Sequence, residues 1–398
     1  MTLDKIYHAA FVLKDIIRKT DVIAAPELNP DANIILKTEN LQVTGSFKVR
    51  GAAYKISQLS EEEKARGVIA CSAGNHAQGV ALAATKAGAK SLICLPDNAP
   101  ISKIEATKKY GADVCLVPGV YDDAYNKALE LRDSEGYTFV HPFNDEDVIA
   151  GQGTIGLEIL EQVPDVDAVI VPVGGGGLIS GVAYAIKQLN PNVKVYGVQA
   201  SGAPSMVKSV KEGKIKKLAS VSTIADGIAV KEPGDLTFDL VSQYVDELVT
   251  VTDDEVAAAI LALIEQQKLC AEGAGAVSVA AAMFNKVPVA GKKVVCLVSG
   301  GNIDVTILSR VIDRGLLKSG RTLSIQVNLV DKPGQLQGVA NCIADAGGNV
   351  TYINHEKATE DMSITDAYLR ITMETKNFEH IDEILTALSD AGFTYQQF

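Results

Sequence analysis

From about residue 30 onward, short runs of β-branched and aliphatic residues alternate with longer stretches of mixed polarity. The runs Ile34–Lys37, Val68–Cys71, Leu92–Leu95, Val114–Val117, Ala168–Val173, Val193–Val198 and Val294–Val298 are almost continuously apolar. Strands of that kind are covered on both faces, as in parallel sheets. Between them Val256, Ile260, Leu263 and Ile264 recur at the helical period, as do Ile155, Ile159 and Val163. Alternating β and α units predict an open α/β fold whose ligands bind beyond the carboxyl ends of its strands.

The pattern changes near Gly320. Leu323, Ile325, Val327 and Leu329 alternate with polar residues, the period of a strand with one buried face. A helix presenting Leu336, Val339 and Ile343 follows. Strand-like runs around Val350–Asn354 and Tyr368–Met373 come next, then a helix with Ile381, Leu385 and Leu388 and a final FTYQQF. The order predicts a βαββαβ, ferredoxin-like module over residues 322–398, with the boundary at 318–322.

Composition narrows the partners. The chain has 398 residues, 47% hydrophobic and 22% charged, which suits two or three packed domains. A net charge of −12 with interspersed basic residues argues against nucleic acid and anionic lipid. No apolar run reaches the roughly 18 residues of a membrane helix, and the start, with acids among its bases, does not read as a secretory signal. Six scattered cysteines read as small hydrophobes in a reducing compartment, so a cytoplasmic protein is expected.

Four segments carry candidate chemistry. In TGSFKVRGA (44–52), Lys48 follows an aromatic and is boxed by small residues; a desolvated lysine can attack a carbonyl. In VGGGGLISG (173–181), four glycines stand between a strand and a helix. They bury nothing themselves and let backbone N–H groups crowd around an anion at a helix start. The spacing fits neither the Walker loop nor the dinucleotide fingerprint, so a monophosphate is favoured. GQGTIG (151–156) matches GxGxxG in letter, but no strand precedes it and no acid stands about 20 residues on; close helix packing explains it better. In CSAGNHAQG (71–79), Ser72, Ala73, Gly74, Asn75 and His76 open a helix whose amides suit a carboxylate. There Asn75 can donate to a phenolate-like oxygen, and His76 reads as a cap of the helix start rather than a general base. VSGGNID (298–304) ends the last long strand with Ser299.

Together these segments, in order over residues 5–315, resemble the threonine and serine dehydratases among the fold-type II pyridoxal-phosphate enzymes. The resemblance implies a catalytic region over residues 1–318, with a smaller subdomain of about residues 45–145 inserted in a larger one. It makes Lys48 the residue that forms the Schiff base, with Phe47 beside the ring. Gly174, Gly175, Gly176, Gly177 and Leu178 bind the 5′-phosphate, Asn75 bonds the ring hydroxyl, and Ser299 contacts the pyridine nitrogen. A serine there leaves that nitrogen unprotonated, which favours prompt β-elimination over a long-lived carbanion. Racemising relatives carry a second serine in the loop where Ala73 stands, so elimination to 2-oxobutanoate and ammonia is expected, with some activity on serine. A serine dehydratase or serine racemase is the alternative. Relatives that bind a divalent ion carry acids at positions aligned with Gln199 and Ser205, so no metal requirement is expected.

Residues 322–398 resemble an ACT domain, on the βαββαβ order and on DKPGQL (331–336). The resemblance implies an amino-acid effector near Pro333, Gly334, Gln335, Leu336 and Asn354, and a homodimer or homotetramer. A branched-chain amino acid is the sensible effector, because the product lies on the isoleucine route.

Overall fold

The computed structural model describes residues 1–357 and 365–398. Residues Met1–Val305 and Thr306–Phe398 form two compact units. The division falls just after the first residue of the helix Val305–Lys318, the rest of which groups with the second unit, whereas the change of sequence pattern comes at its far end.

The first unit holds two sheets. The larger runs Val22–Ala24, Asn33–Lys37, Lys293–Leu297, Ala168–Pro172, Lys194–Ala200, Glu247–Val251, all neighbours parallel except the first pair. The smaller runs Asp113–Val117, Ser91–Pro96, Val68–Cys71, Thr138–Phe139, all parallel. Every residue of Ala168–Pro172 and of Val68–Cys71 is buried, which is why those segments read as unbroken apolar runs. The strands Val22–Ala24, Thr138–Phe139 and Glu247–Val251 escape the pattern because they are short or only half-buried.

GQGTIG lies inside the helix Glu146–Gln162. A Cβ on Gly151 would sit 2.6 Å from the Arg50 carbonyl, and one on Gly156 would sit 2.9 Å from the Val182 carbonyl. Both glycines therefore allow neighbouring helices to approach closely.

The helix Lys48–Ser57 is tied down by a buried ionic cluster. Arg50 Nε and Nη2 each donate to Glu39 at 2.8 Å, and its Nη1 and Nη2 donate to Glu158 at 2.6 and 2.9 Å. Lys37 completes the cluster, donating to Glu158 at 2.6 Å and to the Thr20 carbonyl at 2.7 Å. Arg50, Glu39 and Lys37 are each 0% exposed. Burial alone would push the Glu39 carboxyl up, but the Arg50 guanidinium overrides it and holds the group below the usual carboxylate range.

In the second unit the strands Thr322–Val330, Asn349–Lys357, Asp366–Glu374 and Thr394–Gln397 form an antiparallel sheet. Its order puts Asp366–Glu374 and Thr322–Val330 in the centre, the ferredoxin-like arrangement. Leu323, Ile325, Val327, Leu369, Ile371 and Met373 face the helices Gln335–Asp345 and Phe378–Asp390, meeting Val339, Ile343, Ile384 and Leu388. Leu336 does not join them. It stands one turn ahead of Val339 and stays 44% exposed. Among the described residues, no helix is long and apolar enough to cross a membrane.

Candidate active site

Four loops meet at the carboxyl ends of parallel strands, where open α/β sheets bind their ligands. Ser72 follows Val68–Cys71, Pro142 lies just past Thr138–Phe139, the glycine run lies just past Ala168–Pro172, and Ser299 just past Lys293–Leu297. The Lys48 ammonium donates to the Pro142 carbonyl at 2.8 Å. The neighbouring Phe143 ring packs on the glycine run, because a Cβ at Gly175 would fall 2.5 Å from that ring. The Phe47 amide donates to the Ser299 carbonyl at 3.1 Å. The Ser299 hydroxyl donates to the Ala274 carbonyl at 3.3 Å, two residues along from Glu272. Asn75 ends the series, its Nδ2 donating to Glu272 Oε1 at 2.6 Å. The structure thus joins Phe47, Lys48, Asn75, the glycine run and Ser299 in one chain of contacts.

Each group has a local cause. Lys48 opens its helix, and burial pushes its ammonium down to about 8 against the pull of Glu272. It therefore yields a neutral amine closer to neutral pH than an exposed lysine does. Gly176 adopts φ +98° at the N-cap of the helix Gly177–Leu189, a conformation that favours glycine. The glycines also serve packing. Side chains at Gly175 and Gly177 would strike Phe143, and one at Gly176 would strike Met206 and Thr237. The expectation that the glycines bury nothing is corrected on that ground. No acceptor among the described residues takes the amide hydrogens of Gly174, Gly175, Gly176, Gly177 and Leu178.

In the loop before the helix Asn75–Lys86, the Ser72 hydroxyl accepts from the Gly74 amide at 3.1 Å, and Ala73 packs against the core. Gly74 stands at the N-cap, and a Cβ there would meet nothing within 4 Å. The His76 side chain does not cap this helix. Its Nε2 donates to the Val140 carbonyl at 2.8 Å, and burial, with Lys48 nearby, pushes the imidazole down to about 3. A neutral, tethered ring leaves only the His76 amide for a carboxylate.

Glu272, Asn302 and His141 were not legible as site residues. Glu272 is 5% exposed, and burial, with Asp226 beside it, pushes its carboxyl up to about 7. Its one sequence signal is a lone acid before the stretch Gly273–Met283, apolar apart from Ser278. His141 Nδ1 accepts from the amides of Phe143 and Asn144 at 3.2 and 2.8 Å, fixing the turn that holds Phe143 on the glycines. Gln199 bonds the Val173 carbonyl and the Val207 amide, and Ser205 is buried.

Residues 13–300 match the family of pyridoxal-phosphate dependent enzymes. The chain belongs to this family. It is 51% identical to an L-threonine ammonia-lyase of Thermotoga maritima over 99% of its own length and 98% of the relative's. Among solved structures, threonine deaminase isoform 2 of Solanum lycopersicum matches with a TM-score of 0.75 at 39% identity, covering 80% of this chain and 90% of that one. A maize serine racemase matches with a TM-score of 0.74 at 35% identity, covering 79% and 98%.

The residues present fit the family's cofactor. The glycine amides offer free donors at a helix start for a phosphate. Lys48 supplies a buried amine of lowered basicity, and Asn75 keeps one Nδ2 hydrogen after its bond to Glu272.

In the second unit, Gly334 caps the helix Gln335–Asp345 with φ +92°, and a Cβ there would meet nothing within 4 Å. Pro333 and Gln335 flank it. Asn354 lies on Asn349–Lys357, its Nδ2 donating to Glu356 at 2.7 Å.

Proposed function

We propose that this pyridoxal-phosphate-dependent lyase converts L-threonine to 2-oxobutanoate and ammonia. The observation that carries the reading is the meeting of Lys48, Asn75, Gly174–Gly177 and Ser299 at one set of strand ends. Near-complete coverage of a relative named L-threonine ammonia-lyase supports the choice of substrate. When bound, pyridoxal phosphate supplies a carbonyl for the substrate amine and a conjugated ring that makes the Cα proton acidic.

The chain supplies the rest. The amides of Gly174–Leu178 would hold the phosphate, and the Ser299 hydroxyl, which rests on the Ala274 carbonyl, would turn to donate to the pyridine nitrogen and leave it unprotonated. In the Ser72–His76 segment the amides of Ala73, Asn75 and His76 hold the substrate carboxylate, those of Ser72 and Gly74 being bonded within the fold. Lys48, whose amine sits near neutrality, takes the Cα proton. The β-hydroxyl leaves as water, and hydrolysis consumes one water, so the net change is threonine to 2-oxobutanoate and ammonia. Ala73 has no proton to give on the opposite face, which favours elimination over racemisation.

Serine is a poorer substrate by the worth of one methyl, about 1–3 kcal/mol. The likeness to a serine racemase makes serine racemisation or dehydration the second reading.

The second unit acts as an ACT module that binds an amino-acid effector. Gly334 turns the chain into a helix start where the Gln335 amide reaches the Lys332 carbonyl only at 3.4 Å, and the exposed Leu336 stands beside it. A branched-chain amino acid is the effector. The enzyme works in the cytoplasm as a homodimer or homotetramer and needs no divalent metal.

The test is a panel of L-threonine, L-serine and D-serine, following keto acid release and chirality, with and without isoleucine and valine. Keto acid from threonine at the highest kcat/KM supports the reading. An epimerised amino acid as the sole product overturns it.

A further inference from the structure

The Asn75 carboxamide is held from two sides. Asn302 Nδ2 donates one hydrogen to the Thr44 carbonyl at 2.8 Å and the other to Asn75 Oδ1 at 2.7 Å. Because both of those hydrogens are committed, the Asn75 amide has one orientation, with Nδ2 toward Glu272. Two glycines make room for that carboxylate. A Cβ on Gly300 would fall 2.4 Å from Glu272 Oε1, and one on Gly227 would fall 3.4 Å away.

We propose that Glu272 is a positioning residue that clamps Asn75 so that its remaining Nδ2 hydrogen faces the cofactor's ring oxygen. The inference rests on the reading of Asn75 as the partner of that oxygen. It assigns to Glu272 a further role: its charge sets how readily the oxygen on the other side of Asn75 carries a negative charge. An ionised Glu272 disfavours a second anion nearby, and a protonated one relieves it.

The charged groups facing Glu272 are Asp226 on the segment Asp226–Ile228, Lys103 on the helix Ile101–Lys109, and Lys48. Lys103 and Asp226 are themselves paired at 2.8 Å. Asp226 raises the proton affinity of Glu272, whereas Lys103 and Lys48 lower it, and the balance with burial lies at about 7.

The experiment is a pH titration of the cofactor's visible absorbance in the holoenzyme, with threonine turnover measured in parallel. Wild type is expected to show a transition centred near pH 7. In Glu272→Gln, which keeps the acceptor but cannot ionise, colour persists and the transition disappears. Glu272→Ala loosens the cofactor about tenfold, the worth of one hydrogen bond, and Glu272→Gln restores its affinity. Asp226→Asn moves the midpoint down and Lys103→Met moves it up, each by roughly half a pH unit. A transition that persists in Glu272→Gln overturns the inference, and so does a wild-type spectrum that is flat from pH 6 to 8. If Glu272→Gln does not fold, the two neighbouring variants decide, and midpoints that move together or stay fixed refute it. A wild-type protein that takes up no cofactor refutes the reading beneath, a result distinct from all of these.

Discussion

Replacing Arg50 with Met should cost the catalytic unit a large part of its stability, and the loss should depend on pH. The substitution removes four hydrogen bonds to carboxylates and leaves Glu39, 0% exposed, with Thr20 and the distant pull of Lys37. Breaking a buried pair from one side costs about 3–5 kcal/mol. At about 2 °C per kcal/mol for a unit of this size, the midpoint should fall by roughly 6–10 °C at pH 8.

The sign of the pH effect follows from Glu39. In the wild type its carboxyl is held below the ordinary range, so its stabilisation is present above the unfolded value and lost as pH falls through the folded one. Without Arg50, burial pushes the same carboxyl above the ordinary range. The penalty is then complete at high pH and relieved as acid neutralises the group. Thermal melts followed by circular dichroism at pH 8 and pH 5 should show a gap between variant and wild type that narrows in acid. A gap under 2 °C, or one equal at both pH values, would refute the argument that the cluster's charges are uncompensated without Arg50.

Lys48→Ala should abolish colour and cut threonine turnover by at least about 10²–10⁴-fold, measured as keto acid release, since it removes both the cofactor's tether and the base. Gly175→Ala should displace Phe143 and raise the cofactor's dissociation constant, read by equilibrium titration, with little loss of fold by circular dichroism. In the cofactor-free protein, a lysine-selective acylating reagent should label Lys48 increasingly as pH rises through about 8, where its amine loses its proton. Labelling of Lys48 that follows exposed lysines would contradict its burial. A chain ending at residue 319 should keep turnover and lose any response to isoleucine or valine, and unchanged inhibition would sink the effector assignment.

Much of the candidate site was legible because its residues are unusual for their places. Four glycines after a fully apolar strand and a lysine boxed by small residues invite a chemical reading. The strands at the sheet centres were legible for the opposite reason, since Ala168–Pro172 and Val68–Cys71 are buried throughout and admit no polar residue. What escaped was whatever depends on contacts far apart in sequence. Glu272 takes its character from Asn75, 197 positions away, and from the glycines beneath it. His76 invited a capping role by position, yet its ring turns inward to Val140, a contact that no local spacing encodes. The glycine run showed its flexibility but not its packing, because Phe143 arrives from another loop.

The most direct measurement is borohydride reduction of the purified, pyridoxal-phosphate-loaded protein, followed by peptide mass spectrometry. The account predicts loss of visible colour and a single stable cofactor adduct on Lys48. Colourless protein, or an adduct on another lysine with Lys48 unmodified, would contradict it.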